Sequence, residues 1–195
     1  MKITSLFFVL LLSFSLSAQS PIQSAKLEKE KGFNLLKVGA LYSEIKSVLQ
    51  KDTLNRKDSF EPKCQIVSYT DRIYLVNLKK PGYSQFNGKN IDRIEVWFQA
   101  HYDDKGEAKD YEITEVKIFF KKISEADTDA FFNRLIDIYG MPASGGVDFP
   151  EEGVDTYTWF SEMVLMNGTS FYGDPATEKM KKEYLKVSFE SAVGG

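Results

Sequence analysis

The chain is nearly without the residues from which most catalytic and metal centres are built. It holds one cysteine, Cys64, and one histidine, His101, in 195 residues. A single thiol excludes an intrachain disulfide and a multi-cysteine zinc site. A single imidazole excludes any histidine pair. Neither sign of charge dominates: 25 Lys plus Arg stand against 28 Asp plus Glu, a formal net of −3. That balance lacks the basic footprint of a nucleic-acid binder, so no nucleic acid is expected as a partner. Beyond the N-terminus no run of 18 apolar residues occurs, so no membrane span is expected once a leader is removed. What is present is 43% hydrophobic and 14% aromatic residues, enough to bury a core.

The N-terminus reads as an export signal. Lys2 gives a positive start, and residues 3–16 are apolar apart from Thr4, Ser5, Ser13 and Ser15. Small residues then lead to Ala18, after which cleavage is expected. The apolar stretch is shorter than the roughly 20 residues that span a bilayer. The protein is therefore expected to be periplasmic or extracellular. Loss of residues 1–18 leaves 177 residues (195 less 18) and removes one charge, Lys2, for a net of −4. The expected organisation is a signal peptide over 1–18, a linker over 19–32 and a single domain over 33–195. Cys64 would be a lone thiol in an oxidising compartment, buried and inert.

Periodicity supplies the fold class. Residues 21–31 are polar and read as a linker or frayed helix. Leu41, Ile45, Val48 and Leu49 predict a helix over 41–50. Short β-rich runs occupy 65–69 and 72–78, with turns at Pro81-Gly82 and Asn87-Gly88. Ile94, Val96, Phe98 and Ala100 alternate on one strand, and Val116, Ile118 and Phe120 on the next. The polar stretch 102–110 between them predicts a long antiparallel hairpin. Its other face carries Trp97 and Phe119 among Arg93, Glu95, Gln99, Glu115 and Lys117, and a helix is expected to cover those aromatics. Ser124 as N-cap, an apolar stripe of Phe132, Leu135, Ile136 and Tyr139, and Gly140 before Pro142 delimit a second helix. Residues 143–153, with Gly145-Gly146, Pro150 and Gly153, are expected to be a loop. Strands at 157–160, 163–166 and 184–190 follow, with a short charged helix from Asp174-Pro175 between the last two. Strands in runs between isolated helices predict an α+β fold, an antiparallel sheet with helices on one face. A helix-plus-strands unit occurs twice in this reading, which raises an internal duplication.

The segment Lys37-Val38-Gly39-Ala40-Leu41-Tyr42-Ser43-Glu44-Ile45-Lys46-Ser47-Val48-Leu49 resembles the opening of the SmpA/OmlA and β-lactamase-inhibitor-protein-like domains. The helix ending Tyr139-Gly140-Met141-Pro142 with Trp159 downstream is similar to theirs as well. Together these cover about a fifth of the chain, and the Gly-Pro that would follow the first helix is missing. The resemblance implies a small exported α+β domain that acts by binding, and it transfers no functional residue.

Chemistry is sparse. A catalytic triad would need His101, yet no Gly-x-Ser-x-Gly elbow occurs, and nothing beside Cys64 resembles a cysteine-protease signature. His101 reads as a solvated histidine at a strand end. Asp103, Asp104, Glu107 and Asp110 surround Gly106, but Lys105 and Lys109 interrupt them and no EF-hand glutamate ends the loop, so a soluble hairpin tip is expected. Asn167-Gly168-Thr169 matches a glycosylation sequon and reads as a turn. No catalytic residue, cofactor-binding residue, cofactor or metal ligand is therefore expected. The candidate binding surface is Trp97, Phe119, Tyr83, Phe86, Tyr102, Phe171 and Tyr172, because aromatic side chains dominate interface energetics. The function expected is that of a non-catalytic binding or interaction module of the cell envelope, with an envelope or secreted protein as partner. Two alternatives stay open: a hydrolase of glycan or peptide using carboxylates among Asp148, Glu151, Glu152 and Asp155, and an inhibitor of a secreted enzyme.

Overall fold

The computed structural model describes residues 24–50, 64–66, 71–102, 105–121, 124–149, 154–171 and 184–192. The expected signal peptide, Asp103, Asp104, Glu151, Glu152, Tyr172 and the charged helix expected after Asp174 lie outside them. The elements in chain order are α1 (Ala25–Glu30), β1 (Gly32–Phe33), β2 (Leu36–Lys37), α2 (Tyr42–Ile45), a 3-10 turn (Lys46–Val48), β3 (Cys64–Ile66), β4 (Asp71–Leu75) and β5 (Gln85–Phe86). There follow β6 (Lys89–Tyr102), β7 (Ala108–Phe120), α3 (Glu125–Tyr139), β8 (Ser144–Phe149), β9 (Val154–Phe160), β10 (Val164–Phe171) and β11 (Tyr184–Ser191).

One antiparallel sheet organises the protein, in the order β3-β4-β6-β7-β11-β10-β9-β8, with β5 folded back on the start of β6. This is the α+β architecture that runs of strands between isolated helices predict. β1 and β2 form a separate two-stranded ribbon. Outward from the centre, β7, β6, β4 and β3 follow on one side, and β11, β10, β9 and β8 on the other. Each set is preceded in the chain by a helix, α2 or α3. Apart from β5, which has no counterpart among the described elements of the second set, the order of elements repeats, and the last strands of the two sets pair with each other.

The long hairpin has the expected apolar face. Ile94, Val96, Phe98, Val116, Ile118 and Phe120 are buried, joined by Val187 and Phe189 of β11 and by Val164 and Met166 of β10. The helices lie on this face. Phe131 of α3 meets Phe120 edge-on, with ring centroids 5.0 Å apart. Tyr42 of α2 packs on Phe98 and Tyr74 at 5.9 and 5.2 Å. Leu27 of α1 enters the same core. Burying each such side chain contributes roughly 1.5–3 kcal/mol. α3 sits close because β10 offers Gly168 beneath it: a Cβ there would meet Phe132 Cε1 at 2.7 Å.

Several expectations need correction. Of the two readings of residues 21–31, the helical one holds over α1, but the helix is capped and not frayed at its start: Ser24 Oγ accepts from Leu27 N, and Ser24 N donates to Phe160 O. The helix expected over 41–50 is one α-turn followed by a 3-10 turn. Its N-cap is Leu41, which offers no side-chain acceptor, and Val48 is β-branched. The loop expected over 143–153 includes strand β8, whose Ser144, Gly145 and Gly146 pair with Thr158, Tyr157 and Thr156. Gly145 fits because a Cβ there would strike the Tyr157 ring at 2.5 Å. The sequon lies inside β10, not in a turn.

Candidate binding face

Side chains alternate along each strand, so the face opposite the helices is set by register. Its rows run across the sheet. One row is Ile73, Trp97, Glu115, Glu190, Leu165 and Phe160. The next is Leu75, Glu95, Lys117, Ser188, Asn167 and Thr158, and a third is Arg93, Phe119, Lys186, Thr169 and Thr156. Trp97 and Phe119 are thus on one face, as the alternation predicts. The helix expected over them is not among the described elements, because all three helices are drawn to the more apolar side.

Long cations lie over the aromatics instead. The Arg93 guanidinium stands 3.6 Å from the Phe119 ring centroid while its Nε donates to Glu95 Oε1 at 2.8 Å. Lys117 Nζ lies 4.2 Å from the Trp97 centroid and 2.7 Å from Glu115 Oε2. Each cation–ring contact is worth roughly 0.5–2 kcal/mol, more as water is excluded. The face is therefore a set of rings and charges already fixed in position. Among the described residues the buried Trp97 indole nitrogen has no hydrogen-bond partner.

Polar groups complete the face. Thr158 Oγ1 donates to Asn167 Oδ1 at 2.9 Å, Asn167 Nδ2 donates to Glu190 Oε1 at 3.3 Å, and Ser188 Oγ donates to the same oxygen at 2.8 Å. Asn167 is thus committed to a cross-strand network. Glu115 stands directly opposite Glu190. Burial pushes the Glu115 carboxyl above its ordinary range, against the hydrogen bond and charge of Lys117, and the Glu190 charge adds to the rise.

The other candidates are scattered. Tyr83 and Phe86, expected as loop aromatics at the surface, are only 3% and 5% exposed. Both pack on Phe33, at 5.7 and 5.3 Å, so they are core residues and not an open surface. Tyr102 is 46% exposed at the far end of β6. Phe171 ends β10 opposite Tyr184. His101 is at the end of β6, exposed, with Nδ1 3.3 Å from Glu112 Oε2 across the hairpin. Asp110 of the acidic hairpin is tied down: Ser43 Oγ donates to it at 2.6 Å. Partial burial raises its carboxyl, but that hydrogen bond and those from the Tyr111 and Ser43 amides outweigh burial and hold it below the ordinary range. Among the described residues no group of three or more His, Cys, Asp and Glu is placed to hold a metal ion, and no helix is long and apolar enough to cross a membrane. Sequence reading missed the polar half of this face: Asn167 stands out only within a sequon read as a turn, and Ser188 and Thr158 are isolated strand hydroxyls that carry no motif. Compared with known proteins, the chain matches no family model, no curated protein and no solved structure.

Proposed function

We propose that the chain is an exported, non-catalytic binding module of the cell envelope that takes an envelope or secreted protein on the face bearing Trp97 and Phe119. The observation that carries this reading is the pair of aromatic rings held under Lys117 and Arg93 on a sheet face that no described helix occupies. Rigid aromatic anchors beside fixed charges of both signs are what a specific protein interface uses: the rings supply affinity and the charges select the partner. The apolar leader and the resemblance to SmpA/OmlA and β-lactamase-inhibitor-protein-like domains favour the same reading. The test is affinity capture from native envelope extract with tagged protein lacking residues 1–18. Trp97→Ala is expected to abolish recovery of the captured partner while circular dichroism shows an unchanged fold. Recovery that is indifferent to both Trp97→Ala and Phe119→Ala would reject the face.

A further inference from the structure

A second site lies away from the sheet face. The end of α1, the β1–β2 ribbon, the β5–β6 turn and the end of α3 border an open cavity of about 460 Å³. That is within the roughly 300–1,000 Å³ usual for small-molecule sites. Its floor is Phe33 and Phe86, and its walls are polar, with Asn34, Gln85 and Asn87 among them. Two of these amides are held in place: Asn34 Nδ2 donates to Gly82 O at 2.9 Å, and Gln85 Nε2 to Asn90 Oδ1 at 3.0 Å. The charge around the cavity is unbalanced. Its one acid, Glu30, is already neutralised: Lys26 Nζ stands 2.7 Å from Oε1, and Tyr139 Oη donates to Oε2 at 3.0 Å. Burial, with the Glu30 carboxylate second, pushes the Tyr139 phenol up, so it stays a neutral donor. Lys29 and Lys37 also line the cavity, and no carboxylate among the described residues pairs with either.

We propose that this cavity binds a small organic acid rich in hydroxyl groups, of the size and chemistry of a sugar acid. The two unmatched ammonium groups take the anion. The fixed amides take the hydroxyls, since each amide both donates and accepts. Polar walls disfavour an apolar ligand, whose entry would strip these groups of water without return. The site shares no residue with the sheet face and stands whether or not that face binds a protein.

The experiment is a ¹H–¹⁵N titration of the protein lacking residues 1–18, with D-glucuronate as probe and D-glucose and acetate as comparisons. Saturable shifts are expected at the side-chain amides of Asn34, Gln85 and Asn87, strongest with glucuronate. The double variant Lys29→Gln, Lys37→Gln is expected to weaken binding roughly tenfold or more, since each charge-assisted contact is worth about that factor. Both lysines are exposed, so the variant keeps the fold. Trp97→Ala is expected to leave these shifts unchanged. The proposal is overturned by non-saturating shifts with glucuronate, by equal response to acetate alone, or by full binding in the double variant.

Discussion

At the scale of single residues, the sheet face shows how one position serves packing, charge and recognition together. Glu115 lies beside Trp97, under the reach of Lys117 and opposite Glu190. Desolvation dominates its environment, and its carboxyl titrates above the ordinary value of 4.5. A raised carboxyl pKa means that the fold binds this proton more tightly than the unfolded chain does. The contribution to stability is then most favourable below pH 4.5 and declines as pH rises through the folded pKa. Replacing Glu115 with Gln removes that decline. Urea unfolding across pH should show the variant gaining on the parent from about pH 4.5 upward, with the gain levelling once Glu115 is fully ionised in both states. A gain that grows toward acid pH instead would mean that the Lys117 pair outweighs burial. The same residue explains what the sequence could and could not reveal at this scale. Strand alternation places Trp97, Glu115 and Phe119 together, because a period of two decides the face of every residue once one is known. It does not reveal that Glu190 stands opposite, because that pairing joins strands separated by α3 and three further strands.

At the scale of elements, legibility follows the strength of local signals. α3 starts and stops where its caps require. Ser124 Oγ accepts from Asp127 N at 3.2 Å and donates to Asp127 Oδ2 at 2.8 Å, and the helix ends at Gly140, whose φ of 86° suits a residue without Cβ. Asp127 also pairs with Lys89, so the cap ties the helix to the β5–β6 hairpin. Ser124→Ala leaves the first-turn amide without its acceptor and leaves Asp127 only its Lys89 partner. The expected loss is about 0.5–2 kcal/mol by chemical denaturation, with helical circular dichroism retained below the transition. A loss under a few tenths of a kcal/mol would show that water replaces the cap. β8 was illegible for the opposite reason: Ser144-Gly145-Gly146 has poor strand propensity, and its pairing is allowed by the Tyr157 ring across from Gly145. α2 is shorter than its four apolar residues at helical spacing predict: Leu41 brings no side-chain acceptor to the first turn, and the Glu44 carboxylate that accepts from the Leu41 amide at 3.0 Å is its one side-chain cap among the described residues. The cavity beneath the β1–β2 ribbon was invisible in sequence, since Lys29, Gln85 and Tyr139 come from three segments whose chemistry converges only after folding.

At the scale of the whole molecule, the two sets of strands meet along a single seam. β7 and β11 pair from Glu115 with Glu190 to Phe119 with Lys186. Beneath that seam the core is continuous: Val116, Ile118, Val187 and Phe189 belong to one buried cluster that also takes in Tyr74 on one side and Trp159 on the other. α3, which follows β7 in the chain, bridges the sides by packing on Phe120 of β7 and over Gly168 of β10. Neither half could separate without exposing this shared surface, so unfolding should be one cooperative event. The chain carries its own reporters, because its two tryptophans fall on opposite sides of the seam. Trp97 is on β6, and Trp159 is on β9, where its indole donates to Gly140 O at 2.7 Å. In Trp97→Phe the remaining fluorescence reports the second half, and in Trp159→Phe the first. Within each variant the fluorescence and far-ultraviolet circular dichroism transitions should share one urea midpoint and one slope. Trp159→Phe should lower its midpoint more, since it strips the Gly140 carbonyl of its donor at a cost of about 1–3 kcal/mol. Separate midpoints for fluorescence and circular dichroism in either variant would show that the repeated helix-and-strand sets fold independently and that the β7–β11 seam is a contact between two units, not the centre of one.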